Sequence, residues 1–301
     1  MSEFILKTGG SSVILGKHYF RGHFNIKTDE LIKVTRKDER HDEFRWLSRI
    51  REIDNYKKYY SIPDELSYIL RPSDRFYEHV KRITQGLGMT IFHSDLDCCF
   101  INYAGDKDVQ ETLSEMINGC INHAWTNYRD IYHCAKHVME GVIYLHERKL
   151  CHLDLKPENI VMNTKSRTFK LIDFGFAAAE PFTEYVKSPN GTPGYFPKNF
   201  NFDKPTEWLP FTKANDMDME DDMTPMQKDY SLVYKIDSFS LGRVLYFVKY
   251  VYDTYGIPSC IPWWTKKSRD KVDQMIDILL ENDVRKRKTI KECYQLVIEE
   301  N

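Results

Sequence analysis

One stretch constrains this chain more than any other: His152-Leu153-Asp154-Leu155-Lys156-Pro157-Glu158-Asn159, followed downstream by Asp173-Phe174-Gly175. It sets a carboxylate, a lysine and an amide close together in sequence, and then a second carboxylate before a Phe-Gly turn. Between them Thr168-Phe169-Lys170-Leu171-Ile172 alternates in the way a strand does. Transfer of a phosphoryl group passes through a loose, negatively charged state, so its catalysis is positioning plus charge compensation. Two acids, an amide and a lysine suit that chemistry: one carboxylate orients and deprotonates a hydroxyl, and cations meet the charge. A single octapeptide of this kind also occurs in ordinary surface loops, so it is the two motifs in order, joined by a strand, that carry the weight.

These residues resemble the eukaryotic-type protein kinase family, whose pattern is His-Arg-Asp, four variable residues and Asn, then Asp-Phe-Gly. The resemblance implies that Asp154 accepts the proton of a substrate hydroxyl, that Asn159 and Asp173 hold Mg²⁺, and that Lys156 touches the transferring phosphate of ATP. Leu153 departs from the pattern. The family usually has an Arg there that grips a phosphorylated activation loop, so activity independent of such phosphorylation is expected. Gly191-Thr192-Pro193-Gly194-Tyr195 resembles the family's peptide platform. The resemblance directs Thr192 toward Asp154 and Lys156, as in kinases acting on Ser and Thr.

Phe196-Pro197-Lys198 replaces the family's Ala-Pro-Glu, which removes the acid that would pair with Arg287 in Asp283-x-x-x-Arg287-x-Thr289. A buried Arg is not cheaply left unpaired, so either another acid such as Glu207 substitutes or Arg287 is exposed. Ile236-Asp237-Ser238-Phe239-Ser240-Leu241-Gly242 resembles the family's Asp-x-Trp-Ser-Leu-Gly helix start, with Phe for Trp. There Asp237 is expected to accept N–H groups of the catalytic loop at a helix N-terminus. Arg243 to Val251 is expected to continue as a buried helix.

Residues 4 to 34 read as three strands with turns. Gly9, Gly10 and Ser11 form a small-residue turn between two of them, where backbone N–H groups can approach phosphates, although an ordinary hairpin loop has the same composition. Leu31-Ile32-Lys33-Val34 resembles the family's Val-Ala-Ile-Lys strand. Lys33 is thus the candidate for the α- and β-phosphate contact, with Lys27 the alternative. From Asp42 to Ile53 the spacing turns helical, with Phe44, Leu47 and Ile50 on one face. Glu43 is the candidate partner of the strand lysine, and Glu39 the alternative. Asp54 to Gly88 reads as an added segment packed on the small lobe, with helical spacing from Phe76 to Ile83. Asn102-Tyr103-Ala104-Gly105 resembles the family's lobe connector, whose backbone, here at Asn102 and Ala104, bonds adenine.

Beyond the connector the spacing is helical at 111–122 and 130–147, the latter with Ile131, Ala135, Val138, Val142 and Leu145 on one face. Further helices are expected at 268–282 and 289–299. Lys198 to Lys235 reads as a second insertion, where Asp216, Asp218, Glu220, Asp221 and Asp222 form either a solvated loop or an acidic patch selecting basic substrates.

The 301 residues suffice for one large domain or two lobes with separate cores. A composition 42% hydrophobic and 29% charged is that of an ordinary globular chain, and a formal net charge of −2 argues against a dedicated nucleic-acid or membrane-surface binder. Seven scattered cysteines indicate neither a disulfide framework nor a zinc site and fit a reducing cytoplasm. No signal peptide or membrane span is evident.

The expected fold is α+β: a β-rich N-lobe at 1–101, a hinge at 102–105 and a mostly helical C-lobe at 106–301, with ATP and Mg²⁺ between the lobes. The expected function is a serine/threonine protein kinase with a protein substrate, basic if the acidic patch operates. The degenerate glycine loop and the missing Arg and Glu resemble the kinases of large DNA viruses. A catalytically silent kinase-like scaffold is the rival the glycine loop favours. A small-molecule kinase is the other, and the Gly-Thr-Pro-Gly-Tyr platform speaks against it.

Overall fold

The computed structural model describes residues 5–8, 12–15, 31–35, 45–62, 68–69, 78, 82, 100–103, 109–120, 128–163, 165–182, 185, 191–197, 230–255 and 263–299. These form two compact units, one of residues 1–57 with 61–109 and the other of residues 58–60 with 110–301.

The first unit carries a five-stranded sheet in the order β1-β2-β3-β5-β4. Strands β1 (Ile5–Thr8), β2 (Ser12–Leu15) and β3 (Leu31–Thr35) are the three expected from sequence. Every neighbouring pair in this sheet is antiparallel, with Thr8 opposite Val13 and Lys33 opposite both Ile14 and Ile101. Strand β5 (Phe100–Tyr103) includes Asn102 and Tyr103, the first two residues of the stretch that resembles the connector. Helix α1 (45–51) buries Trp46, Leu47 and Ile50, the stripe that a 3.6-residue period puts on one side.

Of the stretch 54–88, read as an added segment, residues 54–62, 68–69, 78 and 82 are described. Helix α2 (Tyr56–Tyr59) opens it, and Lys58 to Tyr60 belong to the second unit. Strand β4 (Tyr68–Ile69) instead closes the edge of the five-stranded sheet. The reason is Tyr60 itself, a large side chain that finds a buried partner set in the helical unit.

Strand β6 (Val109–Thr112) leads into the second unit, and Glu111 lies in it, not at the start of a helix. Helix α3 (Leu113–Cys120) begins after Thr112 because Thr112 and Glu115 make a capping box. Glu115 N–H donates to Thr112 Oγ1 at 3.2 Å, and Thr112 N–H donates to Glu115 Oε2 at 2.6 Å. Helix α4 (Tyr128–His146) buries the expected face, Ile131, Ala135, Val138, Val142 and Leu145, together with Cys134 and Met139. Each fully buried aliphatic side chain contributes about 1.5–3 kcal/mol, so tertiary packing, more than helix propensity, fixes this element.

From its end the chain passes through β7 (Leu150–Cys151) into the loop 152–156, a 3₁₀ turn at Pro157–Asn159 and the hairpin β8 (Ile160–Asn163) and β9 (Thr168–Leu171). The hairpin is antiparallel, pairing Ile160 with Leu171. Strand β10 (Ala178–Ala179) returns to pair with β7.

Helix α5 (Tyr234–Tyr255) starts earlier and ends later than expected, and it is not buried throughout. Ile236, Leu241, Val244, Leu245 and Val248 are in the core, whereas Tyr246, Phe247 and Tyr250 are 48%, 41% and 55% exposed. Helix α6 (Trp263–Leu279) follows, then α7 (Ile290–Tyr294), which Thr289 and Glu292 open with a second capping box and which continues as a π-turn to Glu299. Among the described residues no helix is long and apolar enough to cross a membrane. Cys134, Cys151 and Cys293 are buried free thiols.

Candidate active site

Asp154 is 4% exposed and leaves β7 on a loop whose backbone is held from behind by one acid. Asp237, wholly buried in the first turn of α5, accepts the N–H of Leu153 at 2.8 Å on Oδ1 and the N–H of His152 at 3.0 Å on Oδ2. Its Oδ2 also meets His146 Nε2 at 2.8 Å. Burial pushes the Asp237 carboxyl up, but the His146 hydrogen bond and the Leu153 N–H are among the contacts that outweigh it, and its pKa lies below the ordinary range. Leu153 is thereby kept at φ +64, a left-handed backbone that costs a non-glycine residue about 1–2 kcal/mol. The helix end, the strand and α5 thus converge to aim the next residue, Asp154.

The front of the loop is a triangle of polar side chains. Lys156 Nζ lies 2.7 Å from Asp154 Oδ2 and donates to Thr192 Oγ1 at 2.9 Å. Thr192 Oγ1 donates to Asp154 Oδ1 at 2.5 Å. Asn159 Nδ2 donates to Asp154 O and Oδ2 at 2.9 and 3.0 Å, which turns its amide oxygen away from these acceptors. Thr192 is brought here by a tight platform. A Cβ on Gly191 would lie 2.5 Å from Phe196 Cδ2, so only glycine permits that contact. Ser240 Oγ donates to Tyr195 O at 2.8 Å and Arg243 Nε to Gly194 O at 3.1 Å, which ties the platform to α5.

Asp173 joins the same network through its neighbour. Ile172 N–H donates to Asn159 O at 3.0 Å, and Ile172 O faces His152 Nε2 at 3.1 Å. Since a carbonyl can only accept, Nε2 carries the proton there. His152 Nδ1 then accepts from the Asp154 N–H at 3.3 Å. A single imidazole therefore couples the backbone of Asp154 to that of the residue before Asp173. Asp173 has φ +63 and accepts the Gly175 N–H on Oδ1 at 3.4 Å, and Phe174 is fully buried.

Asp154, Lys156, Asn159 and Thr192 are therefore in direct contact, and Asp173 lies one residue further along the same hydrogen-bonded chain. Lys33 and Asn102 occupy paired strands of the first unit, Lys33 opposite Ile101 and Asn102 opposite Ile32. Gly9, Gly10, Ser11, Glu43 and Ala104, the alternatives Lys27 and Glu39, and the acids Asp216 to Asp222 lie outside the described residues. An amide oxygen and a carboxylate, Asn159 and Asp173, are the hard oxygen donors that suit a divalent cation of the Mg²⁺ type.

Two features went unread in the sequence. His152, which the motif contains without a stated role, and His146, which no motif marks, brace the loop. Arg287 is not exposed, as one expectation had it, but 1% accessible. Its Nε donates to Glu281 O at 3.0 Å, and its guanidinium lies 5.0 Å from the Phe239 ring, the residue standing for Trp. Glu207, the proposed substitute partner, lies outside the described residues.

The Saccharomyces cerevisiae probable serine/threonine-protein kinase HSL1 is 43% identical over 67 residues, 22% of this chain and 4% of that protein. Serine/threonine-protein kinase 17A of Oryctolagus cuniculus is 33% identical over 94 residues, 30% of this chain and 22% of the relative. Human calcium/calmodulin-dependent protein kinase type IV is 34% identical over 86 residues, 28% and 18% of the two chains. The matches thus span less than a quarter of each relative's length. The family model for the protein kinase domain matches residues 32–205, more than half of the sequence. The chain belongs to the protein kinase domain family.

Proposed function

We propose that this chain is an active serine/threonine protein kinase that transfers the γ-phosphoryl group of ATP to hydroxyls of a protein substrate. The observation that carries the proposal is the contact of Asp154 with Lys156, Thr192 and Asn159 at 2.5–3.0 Å. In the transfer, Asp154 takes the proton of the substrate hydroxyl, the hydroxyl oxygen bonds to the γ-phosphorus, and the bond from that phosphorus to the bridging oxygen breaks to release ADP. Lys156 is placed to meet the charge of the moving phosphoryl group, and Thr192 orders the carboxylate and ammonium. Asn159 and Asp173 would hold the divalent cation, which when bound neutralises phosphate charge. Lys33 is the proposed contact to the α- and β-phosphates.

The family relation favours protein substrates, and the Ser/Thr kinases among the relatives favour hydroxyls of Ser and Thr. Leu153 supports activity without a phosphorylated activation segment. It packs in an apolar cluster with Phe182, Val233, Ile236 and Val284, against which Tyr185 and Phe196 lean, so hydrophobic contacts occupy the place of an ion pair.

The test is an ATP and Mg²⁺ assay on a degenerate peptide library with the wild type and Asp154→Asn. Transfer to Ser and Thr that Asp154→Asn lowers by about 10²-fold or more supports the assignment. Equal activity of the two proteins, or none in either, overturns it.

A further inference from the structure

Tyr60 lies outside every motif and is 1% exposed. Its backbone forms a parallel bridge with Leu171, two residues before Asp173. Its ring meets Phe174, the residue after Asp173, edge-on at 5.6 Å and 87°. Its hydroxyl donates to Gly141 O in α4 at 2.7 Å, and burial pushes the phenol well above its ordinary range, which keeps it a donor. Gly141 packs close to both Leu171 and Tyr59, since a Cβ there would meet Leu171 Cδ1 at 3.4 Å and Tyr59 Cβ at 3.6 Å, ordinary van der Waals distances. On its other side Phe174 lies 5.0 Å from the His152 ring.

Asp173 is thus flanked by two residues that Tyr60 holds, one through the backbone and one through the ring. Its own φ of +63 lies in the left-handed region, which an aspartate tolerates better than most residues and supports here by accepting the Gly175 N–H on Oδ1. We infer that Tyr60 is the positioning residue that holds Asp173 in this conformation, a brace supplied by packing from the helical unit's own short segment at 58–60. The inference rests on the phosphotransfer reading of the site for its functional consequence, and not for the geometry.

The test uses the full chain as wild type, Tyr60→Phe, Tyr60→Leu, Tyr60→Ala and, as a stability control, Met139→Ala in the buried face of α4. Steady-state kinetics with ATP and a Ser peptide are read beside the unfolding midpoint and amide exchange of residues 172–177. Tyr60→Ala is expected to lower kcat at least about tenfold with the peptide KM within about twofold, since Asp154, Lys156 and Thr192 are untouched. Tyr60→Phe, which keeps the ring, restores kcat to within about threefold, and Met139→Ala loses midpoint but not kcat. Exchange at 172–177 rises at least about tenfold in Tyr60→Ala and not in Met139→Ala. Tyr60→Leu replaces Tyr60→Ala if the latter does not fold. A Tyr60 variant that loses no more activity and exchanges no faster than Met139→Ala overturns the inference. A wild type without transfer refutes the phosphotransfer reading, and the exchange comparison alone then decides the brace.

Discussion

Replacing Asp237 by Asn should show how much one buried acid holds the catalytic loop. The carboxylate accepts three hydrogen bonds, from Leu153 N–H on Oδ1 and from His152 N–H and His146 on Oδ2. An amide has one accepting oxygen, so its NH₂ must face at least one of these donors. The cheaper orientation points NH₂ at Leu153 and leaves that single buried N–H without an acceptor. An orphaned buried donor costs about 1–3 kcal/mol, and the bonds that remain lose their charge assistance, so a loss of about 2–4 kcal/mol is expected. In a unit of this size that lowers the unfolding midpoint by about 5–15 °C. With its amide unpaired, Leu153 relaxes from φ +64, and Asp154, the next residue, moves.

A displacement of the base near 1 Å costs about 100-fold in rate. The assay is urea unfolding followed by fluorescence, together with kcat on a Ser peptide. The pH dependence gives an independent check. A carboxyl held below its unfolded value of 3.8 adds stability above that pH and loses it as pH falls through the folded value. The gap between wild type and variant should therefore be full near neutrality and narrow below pH 3.8. An Asp237→Asn protein within about 0.5 kcal/mol of wild type and with unchanged kcat would refute the reasoning.

Thr192→Val removes the hydroxyl that links Lys156 to Asp154 and should lower kcat about tenfold or more, with Thr192→Ser recovering most of it; steady-state kinetics on both variants decide. Phosphatase treatment should leave activity unchanged, because apolar packing surrounds Leu153, and abolition of activity would dispose of that account. Leu153→Arg should destabilise by several kcal/mol, since it buries a charge at a site 1% exposed, which denaturant midpoints will read. In Asp253, burial raises the carboxyl, but Tyr128, Lys249 and Arg269 outweigh it and leave its pKa lowered. Its stabilisation is present above the unfolded value of 3.8 and lost as pH falls through the lower folded one, as Asp253→Asn measured from pH 6 to pH 3 should show. Its partial exposure keeps the effect under about 1 kcal/mol.

The loop at 152–159 was legible because its chemistry sits within a few residues of chain, and so was its hairpin, whose alternation reports one buried face. The buried stripe of α4 was legible for the same reason, a period that matches the helix. Helix starts were misjudged where a capping box went unread, as at Thr112-Leu113-Ser114-Glu115, although that signal is local and was available. The fate of Arg287 was not available, because a Phe239 ring and the Glu281 carbonyl are partners that no spacing announces.

By itself the sequence determined which groups are present for the chemistry and in what order, because a loop of eight residues carries its own geometry. Tertiary structure alone decided what holds them. Asp237 lies far down the chain from the loop it supports, and Tyr60 lies far up it, yet each contributes bonds to residues 152–153 or 171–174. Such contacts are set by how elements pack in space; the motif at 236–242 announced Asp237 as an acceptor for the loop, whereas nothing beside Tyr60 in sequence announces its contacts.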